Sequence, residues 1–538
     1  MLFKEFNLER SKILKVDRAI TVKTLKHSFF AKLEQKVFES NANKYEANEL
    51  KRVLLYTHGL PGGGAERQWI NLLANLHDEG YEVKLVVNNL YNERNFLTEI
   101  IDPKMQQNLI DLSTINNADV IENLGKYENI GEFLNEISYE DNLNLSRLLY
   151  FIDTYSPDLI ISQMDMTNIT AGIASTLYGK CKVILSLRAL SPNNYPYLFK
   201  DYFLKSYRIL LENVNVALVA NSKAGAISYE KWLGLIPGSI EVVNNDYRIK
   251  LGALETKDLS GKKTIRGFFR LSQEKEPLRF LNIAEIILSQ DLDYYFEIYG
   301  DGPLELELNN EIRKRKLSQN VKIMKPVVDS AGLMVNSHLI LHTASKEGSS
   351  NTIAEAKILQ KFIVCDDAGD NYSQLSDYKK LIKMHDLTDS EIAFQIVNIE
   401  DELETEYDYL SNINNSTNYK EYYRIYKSLR ESKRTKYFED QKLLLSINEQ
   451  NELGFKKSNE LVKKSKIMLV SIYLFIFFII FFLTRKTPRI RDYAELKCIR
   501  KIAKLVKYVK SRILNLKHRI RILLSYSLKM SGRKNDFK

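Results

Sequence analysis

Cysteine is scarce in this chain. The three present (Cys181, Cys365 and Cys498) lie far apart among 538 residues, which excludes a disulfide framework and a zinc site and fits a reducing compartment. An apolar run of signal-peptide type is missing from the first residues, MLFKEFNLERSKILKVDR, so export is not expected. The sequence has no short internal repeat, no strongly low-complexity segment and no convincing cluster of metal ligands. Two phosphate-binding signatures are also absent. Glycines 62–64 are followed by no Gly-Lys-Ser/Thr, so there is no P-loop. Arg67 stands where the last glycine of a dinucleotide fingerprint would be.

What is present is length, apolar content and a lopsided charge. A chain of 538 residues that is 44% hydrophobic calls for two or three domains with large cores. The net charge of +10 is not evenly spread. Residues 485–538 hold 18 Lys/Arg and 3 Asp/Glu, leaving 60 basic and 65 acidic residues in the rest. An acidic body with a basic tail points to a tail that meets anionic lipid or nucleic acid. Just before the tail, IMLVSIYLFIFFIIFFL (467–483) carries no charge over 17 residues. As a helix it spans roughly 26 Å, slightly short of a ~30 Å hydrocarbon layer. Its phenylalanines and flanking Lys/Arg favour a membrane segment. After Pro488, Ile502, Leu505, Val509, Ile513, Leu516, Ile520, Leu523 and Leu524 recur at three-to-four spacing among basic residues. That pattern reads as an amphipathic helix on a membrane surface. With a membrane segment next to it, residues 467–528 are expected to meet anionic lipid, not nucleic acid.

Between residues 50 and 430 the pattern is α/β. RVLLYTHG reads as a buried strand ending at glycine. The helix after it places Trp69, Leu72, Leu73 and Leu76 at helical spacing, and VKLVV follows as a second strand. A strand–glycine loop–helix–strand unit belongs to a parallel sheet. DLIIS, KVILSL and NVALVA continue it. The pattern restarts with TIRGFFRL, the helix PLRFLNIAEIIL, and then YYFEIYG, VKIM, HLILHT and KFIVC. The expected layout is a helical extension (1–49), a Rossmann-like domain (50–245), a second (246–430), a charged helical linker (431–465), a membrane segment (466–484) and a basic tail (485–538).

Three stretches carry candidate chemistry. Gly62, Gly63 and Gly64 precede a helix, where backbone N–H groups can approach an anion; a tight turn would use the same glycines. FFRLSQEKEP sets Arg270 and Lys275 five residues apart beyond a strand end, a spacing that brackets a diphosphate or merely faces solvent. SKEGSSNTIAEA places Glu347 at a strand end. Gly348, Ser349, Ser350, Asn351 and Thr352 then lead into a helix that holds Glu355. Such a loop holds phosphate oxygens while the acids accept from sugar hydroxyls, or the acids simply serve the helix end.

In this order, GGGAERQ, RLSQEK and EGSSNTIAE resemble the motifs of the GT-B glycosyltransferases of retaining family four, and IYGDGPLELEL resembles a further strand of that family. The resemblance covers about residues 50–430. It implies two Rossmann-like domains facing across a cleft and sugar transfer from a UDP- or GDP-linked donor without a metal or other cofactor. It implies Glu347 at the donor sugar, Glu355 at the ribose, and Arg270 and Lys275 at the departing diphosphate. The glycine loop would face donor phosphates and acceptor, and Met324 to Val327 the base. Where many members hold a histidine, this chain reads SLRALSPNNYP. Arg188 there cannot act as a general base. It suits a phosphate or anionic sugar of the acceptor, or a structural ion pair. The membrane segment favours a lipid-linked saccharide acceptor, at the cytosolic face of a bacterial inner membrane, in surface-polysaccharide synthesis. A GT-B sugar-nucleotide epimerase and a non-catalytic nucleotide-sugar-binding scaffold are the alternatives.

Overall fold

A computed structural model describes residues 27–42, 49–90, 98, 101–127, 130–134, 139–195, 199–200, 202–247, 263–290, 293–327, 330–399 and 418–429. The chain divides into two units, Met1–Glu439 and Asp440–Lys538, and every described residue lies in the first. The expected linker, membrane segment and basic tail lie outside the described residues. Among the described residues no helix is long and apolar enough to cross a membrane.

Two parallel sheets form the body. The first contains β1 (Arg52–Thr57), β2 (Glu82–Val87), β3 (Leu109–Asp111), β4 (Leu159–Gln163), β5 (Lys182–Leu187), β6 (Val216–Ala220) and β7 (Glu241–Val242), in the order β3-β2-β1-β4-β5-β6-β7. The second contains β8 (Lys263–Phe268), β9 (Tyr294–Tyr299), β10 (Val321–Met324), β11 (Leu339–His342), β12 (Phe362–Cys365) and β13 (Leu381–Lys383), in the order β10-β9-β8-β11-β12-β13. The apolar runs read from the sequence are these strands. The central ones, such as β1, β4, β5, β6, β11 and β12, are mostly apolar because both faces are covered. Leu54 and Tyr56 of β1 enter one core while Val53 and Leu55 enter the other. In the second sheet, Leu339 and Leu341 of β11 divide in the same way from Ile340. A period of two in a sheet buried on both sides leaves no polar face to see.

Each sheet reverses its strand order once, between β1 and β4 and between β8 and β11. Register is fixed there by Val53 opposite Leu159 and by Leu339 opposite Ile265. The carboxyl ends of strands at such a reversal leave a crevice, because the chain departs to opposite faces on either side. The glycine loop follows β1. Arg270 and Lys275 follow β8, and Glu347 follows β11.

Two helices sit where the sequence alone did not place them. His27–Ala42, from the N-terminal extension, buries Phe29, Leu33 and Val37 in the first sheet's core beside Tyr207 and Leu210. Asn41 ties it down by donating to Glu212 O at 3.0 Å and accepting from Val214 N at 2.9 Å. Asn418–Ser428, expected in the second domain, packs on the first. Its Tyr422, Ile425 and Tyr426 join Val53 and Leu55. Lys182 Nζ donates to Tyr426 O at 2.7 Å and lies 4.3 Å from that ring's centroid. The chain thus returns to its first domain after building the second.

Candidate active site

The loop after β11 is organised by a buried charge cluster. Lys275 Nζ forms an ion pair with Glu347 Oε1, and His342 Nε2 lies 2.9 Å from the same oxygen. The short helical turn Gln273–Lys275 carries the lysine inward, and Glu276 then turns left-handed before Pro277 opens a helix. Thr343 locks the two loops together by donating to Lys275 O at 2.9 Å. Burial alone would raise the Glu347 pKa. The Lys275 charge and the His342 contact overcome it and hold the carboxyl down at about 2. Glu347 is therefore an anion at any physiological pH. His342 closes β11, at the strand end that leads into the Glu347 loop. It is 1% exposed and also touches the site's acid, while its Nδ1 is buried with no partner in the described structure.

The rest of the loop works as a scaffold between domains. Ser350 caps the helix Asn351–Ile358 through Ile353 N. Ser349 accepts from Gln374 Nε2 at 2.7 Å, and Thr352 donates to Phe268 O at 2.9 Å. Gly348 faces the first domain: a Cβ there would come within 3.2 Å of Ala189 Cα. Asn351 reaches across, donating to Gly64 O at 2.9 Å and accepting from Asn245 Nδ2 at 2.7 Å. Asp370 also crosses. Its carboxylate accepts from Lys223 N at 2.7 Å and Ala224 N at 2.8 Å, the first amides of the helix Lys223–Leu233.

Glu355 is held from both domains. Arg67 Nη1 donates to Oε1 at 2.7 Å and Ser330 Oγ to Oε2 at 3.0 Å. Arg67 lies one turn into the helix Gly64–Asp78, whose Trp69, Leu72, Leu73 and Leu76 are buried. That burial fixes the helix and so aims Arg67 across the cleft. The pair is mostly buried, at 22% and 12% side-chain exposure, so it is a real constraint on domain closure. Arg67 is the main site residue that sequence reasoning passed over. The signal was its place in GGGAER, one turn beyond the glycines.

Arg270 is exposed, and its side chain has no hydrogen-bond or ion-pair partner among the described residues. Its electrostatic neighbour is Glu66. Burial pushes the Glu66 carboxyl up to about 7, against the opposing pull of its own backbone N–H, Arg188 and Arg270. Arg188, just past β5, donates from Nη2 to Asn245 Oδ1 at 2.7 Å and lies 5.6 Å from the Trp69 ring centroid. Gly62 is exposed, and Gly63 N donates to Pro61 O at 2.7 Å, making the turn into the helix. Met324 ends β10 and accepts from Gly300 N at 3.1 Å, with Val327 just beyond. These two lie away from the charge cluster, by the outermost strand. The fold therefore gathers Glu347, Lys275, Arg270, Glu355, Arg188 and the glycine loop at the two crevices. Among the described residues no three His, Cys, Asp or Glu side chains form a metal-ligand group.

Two sheets of this kind, with crevices facing across contacts between domains, define an α/β protein of the GT-B type. Residues 259–405, which contain the second sheet, match the family described as Glycosyl transferases group 1, and with this domain the chain is a glycosyltransferase. Solved structures agree on the fold. HepE from Anabaena, in complex with UDP and glucose, superposes with a TM-score of 0.52 at 19% identity, over 66% of this chain and 90% of that one. A glycosyltransferase from Rickettsia africae gives 0.51 at 14% identity, over 72% and 100%. Sucrose-phosphate synthase from Thermosynechococcus elongatus gives 0.52 at 11%, over 70% and 99%. No curated protein sequence matches the chain.

Proposed function

We propose that this glycosyltransferase moves a hexose from a nucleoside diphosphate sugar to an acceptor hydroxyl with retention of anomeric configuration. The observation that carries the reading is the Lys275–Glu347–His342 cluster at the reversal point of the second sheet, with unpaired Arg270 beside it. A carboxylate held as an anion accepts from the hydroxyls of a bound sugar. Two cations at one strand end offset the charge that a diphosphate gains as its bond to the sugar breaks. Glu355 takes the ribose by sharing its oxygens with Arg67. Gly62–Gly64 and the amides from Gly348 to Thr352 approach the phosphates, and Met324 to Val327 the base. HepE, of the same fold, is solved with UDP and glucose, which favours a UDP-linked donor.

The test is a screen of nucleotide-sugars for transfer into a lipid extract, with the product's anomeric configuration read by NMR. Transfer with inversion would refute the mechanism. Because Arg270 and Lys275 supply the charge, EDTA should leave the rate unchanged. A rate that falls in EDTA and returns with Mg²⁺ or Mn²⁺ would show that a metal is needed.

The acceptor in this reading is a lipid-linked saccharide in bacterial surface-polysaccharide synthesis. The body works at the cytosolic face of the inner membrane. Residues 467–483 enter the membrane as a short or re-entrant element, and the basic helix lies on the same anionic leaflet. Supporting this, an ordinary span would place the +15 tail outside, against the positive-inside tendency. With Cys181 and Cys365 replaced by Ser, Cys498 should resist a membrane-impermeant maleimide until the inner membrane is opened. Labelling after permeabilising the outer barrier alone would establish a single span with an exported tail.

A further inference from the structure

The donor reading leaves Arg188 without a task. It stands at the carboxyl end of β5, on the first domain's wall of the cleft. The following residue, Ala189, is the one that Gly348 packs against, so Arg188 is held beside the loop that carries Glu347. Its guanidinium is half-buried, with Nη2 spent on Asn245 Oδ1 and Nε buried with no acceptor. The indole of Trp69 supports the group but supplies no anion. The acid next to it, Glu66, is pushed up to about 7 by burial and so is only partly ionised near neutrality. A half-buried cation with an unused N–H and a weak counter-charge is poorly satisfied, and the missing partner is an oxyanion.

We propose that Arg188 receives a phosphate ester carried by the acceptor, close to the hydroxyl that takes the sugar. This rests on the cleft being the glycosyl-transfer site. The donor diphosphate is assigned to Arg270 and Lys275 of the opposite domain, so an anion on this wall belongs to the other substrate. A guanidinium fork suits phosphate oxygens, and a phosphate monoester brings up to two charges. A carboxylate-bearing sugar brings one.

The two tryptophans of the chain, Trp69 and Trp232, make the test direct. In full-length Trp232→Phe protein in detergent, Trp69 emission is followed while glycerol 3-phosphate is added in saturating UDP. Glycerol and inorganic phosphate are run alongside. A saturable change is expected with the ester and none with glycerol. Arg188→Gln should weaken it about ten- to a hundredfold, and Arg188→Lys, which keeps the charge but not the fork, by less. Unaltered affinity in Arg188→Gln would overturn the proposal. So would an equal response to glycerol, or a response to inorganic phosphate alone. Thermal melts check that each variant is folded. If Arg188→Gln is not, the Arg188→Lys titration decides, and no change there overturns the idea. UDP affinity is measured separately by calorimetry, and its absence would strike the donor reading. The ester titration is repeated without UDP and judged by its dependence on Arg188.

Discussion

Lys275→Ala should lower kcat by about 10²- to 10³-fold, the usual effect of losing one group that offsets developing charge in a closed site. The variant removes the cation proposed to face the departing diphosphate and also the partner that keeps Glu347 ionised. Glu347→Gln should cost less, about ten- to a hundredfold, because it removes one charge-assisted hydrogen bond and leaves Lys275 in place. Steady-state kinetics with saturating donor separates the two, and equal wild-type rates in both variants would refute the assignment. The acid response follows from the same cluster. Folding depresses the Glu347 pKa to about 2 from an ordinary 4.5. Its stabilising contribution is therefore complete above the ordinary value and lost as pH falls through the folded one. In Lys275→Ala the folded pKa rises, so acid unfolding should begin at higher pH.

Gly300→Ala should destabilise the second domain by about 1–3 kcal/mol or more, the cost of forcing extra volume into a packed site. A Cβ on Gly300 would overlap the carbonyl oxygen of Phe269, the residue just before Arg270. Gly302 is equally confined, with φ +153 and its Cβ position 2.5 Å from Leu271 O. The Gly-Asp-Gly-Pro turn is thus the backing of the Arg270 loop, and Leu271 N donates to Asp301 O at 2.7 Å. Gly131→Ala is the control, since nothing lies within 4 Å of a Cβ there. A thermal melt should show a lower midpoint for Gly300→Ala and little change for Gly131→Ala. Identical midpoints would show that the turn yields.

The strands and both crevices were legible because they depend on local pattern. Apolar runs of four to six residues bounded by turn signals favour buried strands, and a motif next to such a run lies at its end. What was illegible depends on partners far away in sequence. Nothing near Arg67 announces Glu355, 288 residues on. The helix Asn418–Ser428 is amphipathic and charged, and its composition does not say which domain its tyrosines will cover. Arg188 was visible as an oddity, but its support by Trp69 and Asn245 exists only once β5, β7 and the helix Gly64–Asp78 are assembled. His342 is a lone histidine at a strand end, a pattern that usually means packing and announces nothing. Only the fold brings Glu347 back against it.

Asp370 gives the cleft a spring. Its carboxylate sits on the positive end of a helix from the other domain, an attraction worth about 0.3–2 kcal/mol that falls off within one turn. Parting the domains even slightly hands those two amides to water and weakens the pull. The force is electrostatic and near the surface, so added salt relaxes it. Ionic strength would then set how long the jaws stay shut around a spent nucleotide, and release would quicken in brine with no change in the chemistry of transfer.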